Sequence, residues 1–289
     1  MTSHFVWNLN PELFNIGFLA PRWYGLCFAT GILLGYQVMR KMFLKENYSE
    51  DILNSGFVLF VVGTVVGARL GHCLFYEPEY YLSQPWKILM IWEGGLASHG
   101  GTIGIFLCMI YYTRKYHIPF MWLADRLSIA ISLGVPFIRI GNFFNSEIYG
   151  KPSDLPWAVV FERIDNIPRH PAQLYEAGCY FLLFFILATF YKITSGNFKP
   201  GRMIGFMFIW IFGSRFFIEF FKENQVSFED SMAFNMGQLL SIPMVALGIF
   251  FFLGLQEKFF PSKTAPAVNI QSSNDKKSRK KLRKDAKKT

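Results

Sequence analysis

Apolar runs alternate with short polar interruptions along the whole chain. Seven runs stand out, at about 23–39, 53–75, 96–112, 119–144, from His170 to about 191, 203–221 and 235–255. Several reach the 18–20 residues that a helix needs to cross roughly 30 Å of hydrocarbon. The period-two alternation of a transmembrane barrel is not evident. The expected fold class is all-α: a polytopic integral membrane protein with about seven transmembrane helices. Gly31 and Gly35 share a face of the first run, and Gly63, Gly67 and Gly71 share a face of the second. Such small-residue faces permit close helix packing.

Seven spans put the two ends of the chain on opposite sides. Arg40, Lys41 and Lys45 follow the first span, Arg114 and Lys115 the third, and Lys192, Lys199 and Arg202 the fifth. A basic tail follows the seventh. The positive-inside rule assigns these to the cytoplasm and leaves the N-terminus outside. Residues 1–20 lack a cleavable-signal pattern; Phe5, Val6, Trp7, Leu13, Phe14 and Phe18 suggest a segment lying on the membrane surface. Also outside fall loops at about 76–95 and 145–171 and an acidic loop around Glu223, Glu229 and Asp230. The 145–171 loop departs from the rule with Lys151, Arg163 and Arg169, which suits an anionic partner.

Composition strengthens the membrane reading: 52% of the 289 residues are hydrophobic, and Phe alone occurs 33 times. Cys27, Cys73, Cys108 and Cys179 are scattered in apolar runs, at no metal or redox spacing. The net charge of +9 resides mostly in the last fifteen residues, which supply +7 of it. Residues 261–289 therefore read as a basic, disordered cytoplasmic tail on a membrane-embedded domain of 1–260. No folded module accompanies the tail, so nucleic acid is not an expected partner.

Given this topology, polar residues of six spans converge on the outer leaflet. Tyr24, His99, His170 and Tyr175 stand at outer starts, Arg69, His72 and Arg139 near outer ends, and Arg215 and Glu219 in an outer half. Carriers more often place such groups at the midplane. The densest stretch is Arg139-Ile140-Gly141-Asn142-Phe143-Phe144-Asn145-Ser146-Glu147-Ile148-Tyr149-Gly150. Arg139 is open to two readings, a snorkelling anchor or half of a phosphate clamp with Arg215. Arg215 also fits an i,i+4 pair with Glu219. His99, beside Gly100 and Gly101, is a candidate general base or positioning donor, or a structural histidine at a span end. Asn142, Asn145 and Glu147 can orient a headgroup or the arginines; Tyr24 can donate a hydrogen bond. No zinc spacing and no nucleotide-type glycine loop is present, so no metal or cofactor is expected.

The motifs Arg22-Trp23-Tyr24-Gly25, Gly94-Gly95-Leu96-Ala97-Ser98-His99-Gly100-Gly101, Arg139 through Gly150, His170-Pro171-Ala172-Gln173-Leu174-Tyr175-Glu176 and Arg215-Phe216-Phe217-Ile218-Glu219-Phe220-Phe221 occur in that order. In this the sequence resembles the bacterial prolipoprotein diacylglyceryl transferases. The resemblance implies an enzyme of the bacterial cytoplasmic (inner) membrane. It would move the diacylglyceryl group of phosphatidylglycerol to the lipobox cysteine of a preprolipoprotein signal peptide, forming a thioether and releasing glycerol phosphate. By resemblance the site falls on Tyr24, His99, Arg139, Asn142, Glu147, Gly150, Arg215 and Glu219. Grooves lined by the glycine faces would admit lipid and signal peptide from the bilayer. Three places depart from the family pattern: Ile138 replaces a small residue, Ile211 a tyrosine, and Ser128-Ile129-Ala130-Ile131-Ser132 a proline-rich stretch. The rivals from other classes are a transporter or lipid flippase, which would show an internal repeat and midplane charges, and a membrane scaffold.

Overall fold

The computed structural model describes residues 4–17, 20–91, 94–223 and 232–258. The basic tail, Phe18, and Glu229 and Asp230 of the acidic loop lie outside the described residues. Each of the seven apolar runs falls on a helix: α1 (Trp23–Lys45), α2 (Glu50–Phe75), α4 (Ser98–Tyr116), α5 (Phe120–Phe144), α6 (Ala172–Thr194), α7 (Arg202–Ile218) and α8 (Met236–Phe252). A short α3 (Pro78–Ser83) sits between α2 and α4. Among the described residues four helices are long and apolar enough to cross a membrane: α2, α5, α6, and α7 with the 3-10 turn that carries it to Phe221. α8 is apolar and shorter.

Local chemistry sets the helix ends. Ser49 caps α2 by accepting from the Ile52 amide, and Glu50 and Asp51 add negative charge to its first turn. Asn235 and Gln238 form a reciprocal capping box on α8. The start of α7 is capped from another helix. Buried Asp125 of α5 accepts from the backbone amides of Gly201, Met203 and Ile204 at 2.8, 3.0 and 3.0 Å. Neighbouring Arg126 donates to the Gly196 carbonyl and lies over the Phe198 ring.

The described residues divide into two compact units, one before Arg40 together with those from Ala124 onward, and one running from Arg40 to Leu123. In the second unit the Gly63, Gly67, Gly71 face of α2 is used up against α4. A Cβ on Gly67 would stand 2.5 Å from the Gly100 carbonyl oxygen, and one on Gly71 2.7 Å from Gly100 Cα. In the first unit Gly31 of α1 meets Gly134 of α5 just as closely. The glycine faces are thus helix seams, and the expected lipid grooves do not run along them.

The non-helical segments of the first unit contain a small sheet that the helical reading did not foresee. β1 (Phe5–Trp7) pairs parallel with β2 (Val159–Phe161), which pairs antiparallel with β3 (Pro168–Arg169). The N-terminal segment is therefore a strand at this point. Phe143 at the end of α5 packs with Val159 and Phe161 into a buried cluster, against Trp7 and Tyr149. This sheet packs against the C-terminal end of α5, where the polar stretch begins.

Candidate active site

The first unit gathers most of the expected residues. α5 stays helical to Phe144, so Arg139 and Asn142 share a face, and Arg139 Nη1 donates to Asn142 Oδ1 at 3.4 Å. Gly141 permits a close approach: a Cβ there would lie 2.9 Å from Tyr24 Cδ2. The Tyr24 ring thus lies directly on α5, within electrostatic reach of Arg139 and Glu147.

Beyond Phe144 the chain turns sharply. Ser146 and Ile148 have φ of 57° and 56°, in the left-handed region. A β-branched residue is strained there. Between them Glu147 is held from both sides. Its carboxylate accepts from Asn142 Nδ2 at 3.3 Å and Asn145 Nδ2 at 3.2 Å, and its carbonyl accepts from Gln173 Nε2 at 2.6 Å. Gly150 closes the turn in a narrow gap. Its amide donates to the His170 carbonyl, and a Cβ would stand 2.5 Å from His170 Cβ and 2.6 Å from the Phe221 carbonyl.

Arg139 and Arg215 are joined by a chain of ion pairs. Arg139 Nε lies 2.6 Å from Glu176 Oε2, and Lys222 Nζ lies 2.9 Å from Glu176 Oε1 and 2.9 Å from Glu219 Oε1. Glu219 Oε1 in turn lies 3.2 Å from Arg215 Nε. Glu176 is fully buried and Lys222 nearly so, whereas the Arg215 side chain is 35% exposed. Gly237 leaves room for the Glu219 carboxylate at the start of α8, where Asn235 Nδ2 donates to its second oxygen at 3.2 Å. Tyr180 of α6 lies within electrostatic reach of Arg139, Arg215 and Glu176.

Glu176 and Lys222 were not among the expected site residues. Glu176 closes the motif that begins at His170 but carries no expected role, and Lys222 carries none either. A signal existed: Glu176 stands between Tyr175 and Ala177, and Lys222 directly follows the apolar pair Phe220-Phe221. Uncompensated burial of either is costly, so each needs an opposite charge.

His99 belongs to the second unit. It is the exposed second residue of α4, and the motif before it is built by Arg69. Buried Arg69 donates to the backbone carbonyls of Lys87, Ile88, Met90, Gly94 and Gly95 and lies over the Tyr81 ring. Gly95, at φ 73°, is pressed against His72 and Arg69, so a side chain would clash there. Arg69 is thereby committed to holding the loop.

Two of the three extra cations of the 145–171 loop also find partners within the protein, Arg169 and Lys151. Arg169 Nη2 pairs with Asp165 Oδ2 at 2.6 Å, Arg169 Nη1 reaches Glu223 at 3.0 Å, and Lys151 Nζ donates to the Phe220 carbonyl. Trp157 Nε1 donates to Tyr175 Oη, which also hydrogen-bonds His170 Nδ1 at 3.1 Å. Burial lowers the His170 pKa, and the Arg169 guanidinium holds Asp165 below the usual carboxylate range. Among the described residues no three His, Cys, Asp or Glu side chains are placed to hold a metal ion. The arrangement suits an anion: two arginines, each contacted by a carboxylate at Nε, with terminal nitrogens that fit phosphate oxygens.

The model of the family described as prolipoprotein diacylglyceryl transferase matches residues 11–254. The phosphatidylglycerol–prolipoprotein diacylglyceryl transferase of Tolumonas auensis is 48% identical over 244 residues, 84% of this chain and 94% of that protein. The proteins of the same name from Chloroherpeton thalassium and Bacteroides fragilis are 43% and 46% identical. They are covered to 93% each, against 86% and 85% of this chain.

Proposed function

Because the chain belongs to the prolipoprotein diacylglyceryl transferase family, we infer that it catalyses diacylglyceryl transfer from phosphatidylglycerol to a prolipoprotein, the first step of lipoprotein maturation. The acceptor is the lipobox cysteine of the signal peptide. The thiol sulfur displaces phosphate at the terminal glyceryl carbon of the lipid. A C–S bond forms, the C–O bond to phosphate breaks, and the thiol proton is lost. The leaving glycerol phosphate gains negative charge as the bond breaks. Donors already aimed at that charge lower the barrier without reorganising. Arg139 and Arg215 hold the phosphate; Asn142, Asn145 and Glu147 orient the headgroup; Tyr24 donates to it from α1. His99 or a neighbour accepts the thiol proton. All seven long helices span the bacterial cytoplasmic (inner) membrane, with the N-terminus outside and the site at the outer leaflet.

The observation that carries this reading is the ion-pair chain linking the two arginines in a sequence that matches the family over residues 11–254. The test is reconstitution with radiolabelled phosphatidylglycerol and a synthetic lipobox peptide. Wild type moves label to the peptide thiol. Arg139→Ala and Arg215→Ala, folded and inserted, lose roughly 10²–10³-fold in kcat, as when one preorganised donor is removed from an oxyanion site. A folded wild type that moves no label from any anionic lipid would return the protein to the transporter reading.

A further inference from the structure

We infer that Glu176 and Lys222 are positioning residues that hold Arg139 and Arg215 as one electrostatic unit. The inference rests on the transferase reading and adds to it. Both arginines are contacted on the same edge: Glu176 meets Arg139 at Nε and Glu219 meets Arg215 at Nε. Of the terminal nitrogens, which suit phosphate oxygens, Arg139 Nη1 also donates to Asn142 Oδ1 at 3.4 Å. Arg139 and Glu176 touch at 2.6 Å, yet neither Arg139 Nε nor Glu176 Oε2 makes an aligned hydrogen bond among the described residues. On its Nε edge Arg139 is held by charge and position, while Nη1 makes a long bond to Asn142 Oδ1. Its orientation depends on where the Glu176 carboxylate sits, and Lys222 fixes that carboxylate through Oε1. Lys222 also fixes Glu219, and so Arg215. A change at either member is therefore felt at both arginines.

Positioning and simple stabilisation predict different kinetics. Without Glu176 the Arg139 guanidinium keeps its charge and still attracts the lipid phosphate, so KM for phosphatidylglycerol does not rise. Its direction is lost, so kcat falls. The experiment compares wild type, Arg139→Ala, Glu176→Gln, Lys222→Met, the double variant Glu176→Gln/Lys222→Met, and Lys222→Arg in the reconstituted transfer assay. Thermal unfolding gives the folded fraction. Each single variant is expected to lose about tenfold or more in kcat per folded molecule with KM for lipid unraised, the signature of an interaction specific to the transition state. The double variant leaves no buried charge unpaired in that pair, so it remains assayable if a single variant misfolds. It is expected to lose no more than the worse single variant, because both act through one unit. Lys222→Arg, which keeps the cation, recovers most of kcat. A folded double variant with wild-type kcat would overturn the inference, as would losses confined to the folded fraction or losses that multiply in the double. Loss in Arg139→Ala with full activity in Glu176→Gln refutes this inference alone. Full activity in both refutes the arginine clamp beneath it.

Discussion

Ile148 keeps a backbone conformation that a β-branched residue seldom adopts, at φ 56°, next to the carboxylate that Asn142 and Asn145 hold. A left-handed conformation costs an ordinary residue roughly 1–2 kcal/mol. Glycine removes that strain but gives back about 0.4–1 kcal/mol through the greater freedom of the unfolded chain. Ile148→Gly is therefore expected to leave stability level or raise it by up to about 1 kcal/mol. Turnover falls, because the turn that aims Glu147 loosens. Thermal unfolding beside transfer kinetics checks this; a clear loss of stability would mean that the Ile148 side chain matters more than its backbone. At this scale the sequence was legible where partners are neighbours. Arg139, Asn142, Asn145 and Glu147 fall within nine residues, and Arg215 and Glu219 within one helical turn. It was not legible where an ion pair spans 46 residues, as between Glu176 and Lys222, since nothing local marks two such charges as mates.

Among the elements, the seam between α2 and α4 is the tightest constraint on substitution. Gly67 and Gly100 bring the two backbones together, and a Cβ on Gly100 would stand closer still to the Gly67 carbonyl. Gly67→Leu must push α4 away or shift its register. Overpacking of this kind costs about 1–3 kcal/mol or more. Its expected readout is a lower unfolding temperature together with faster proteolysis of the loop that Arg69 secures, since that loop leads directly into α4. An unchanged unfolding temperature would show that the seam yields freely. Glycine spacing announced a smooth face but not its occupant, because a groove for lipid and a seam for a helix need the same small residues. The three strands were hidden for another reason. With three, three and two residues they are too short for a period-two pattern, and β1 lies far from β2 in the chain.

Over the whole molecule, acid should act first on the three-stranded sheet. Asp165 has its pKa lowered by its hydrogen bond to Arg169. That contribution is present above the unfolded value, about 3.9, and is lost as pH falls through the lower folded pKa. His170 has its pKa lowered by burial, so its neutral form is favoured in the fold. Its contribution is complete above about pH 6.5 and fades as pH falls toward the folded value. Both signs agree, so hydrogen-exchange protection of β2 and β3 should fall in two steps on acidification. Asp165→Asn should abolish the lower step and leave the upper one. Protection that is flat from neutral pH down to the carboxylate range would refute both assignments.

The buried pair between α6 and the end of α7 also bears on how the protein is made. Glu176 leaves the ribosome 46 residues before Lys222. For that interval the Glu176 carboxylate has Arg139 of α5 on one oxygen and no cation on the other. The network is completed only when α7 and the turn after it have arrived. Insertion of α7 beside α6 therefore supplies the second of the two cations that flank Glu176. The charges that align the arginines in the finished enzyme thus also set an order of events in its biogenesis.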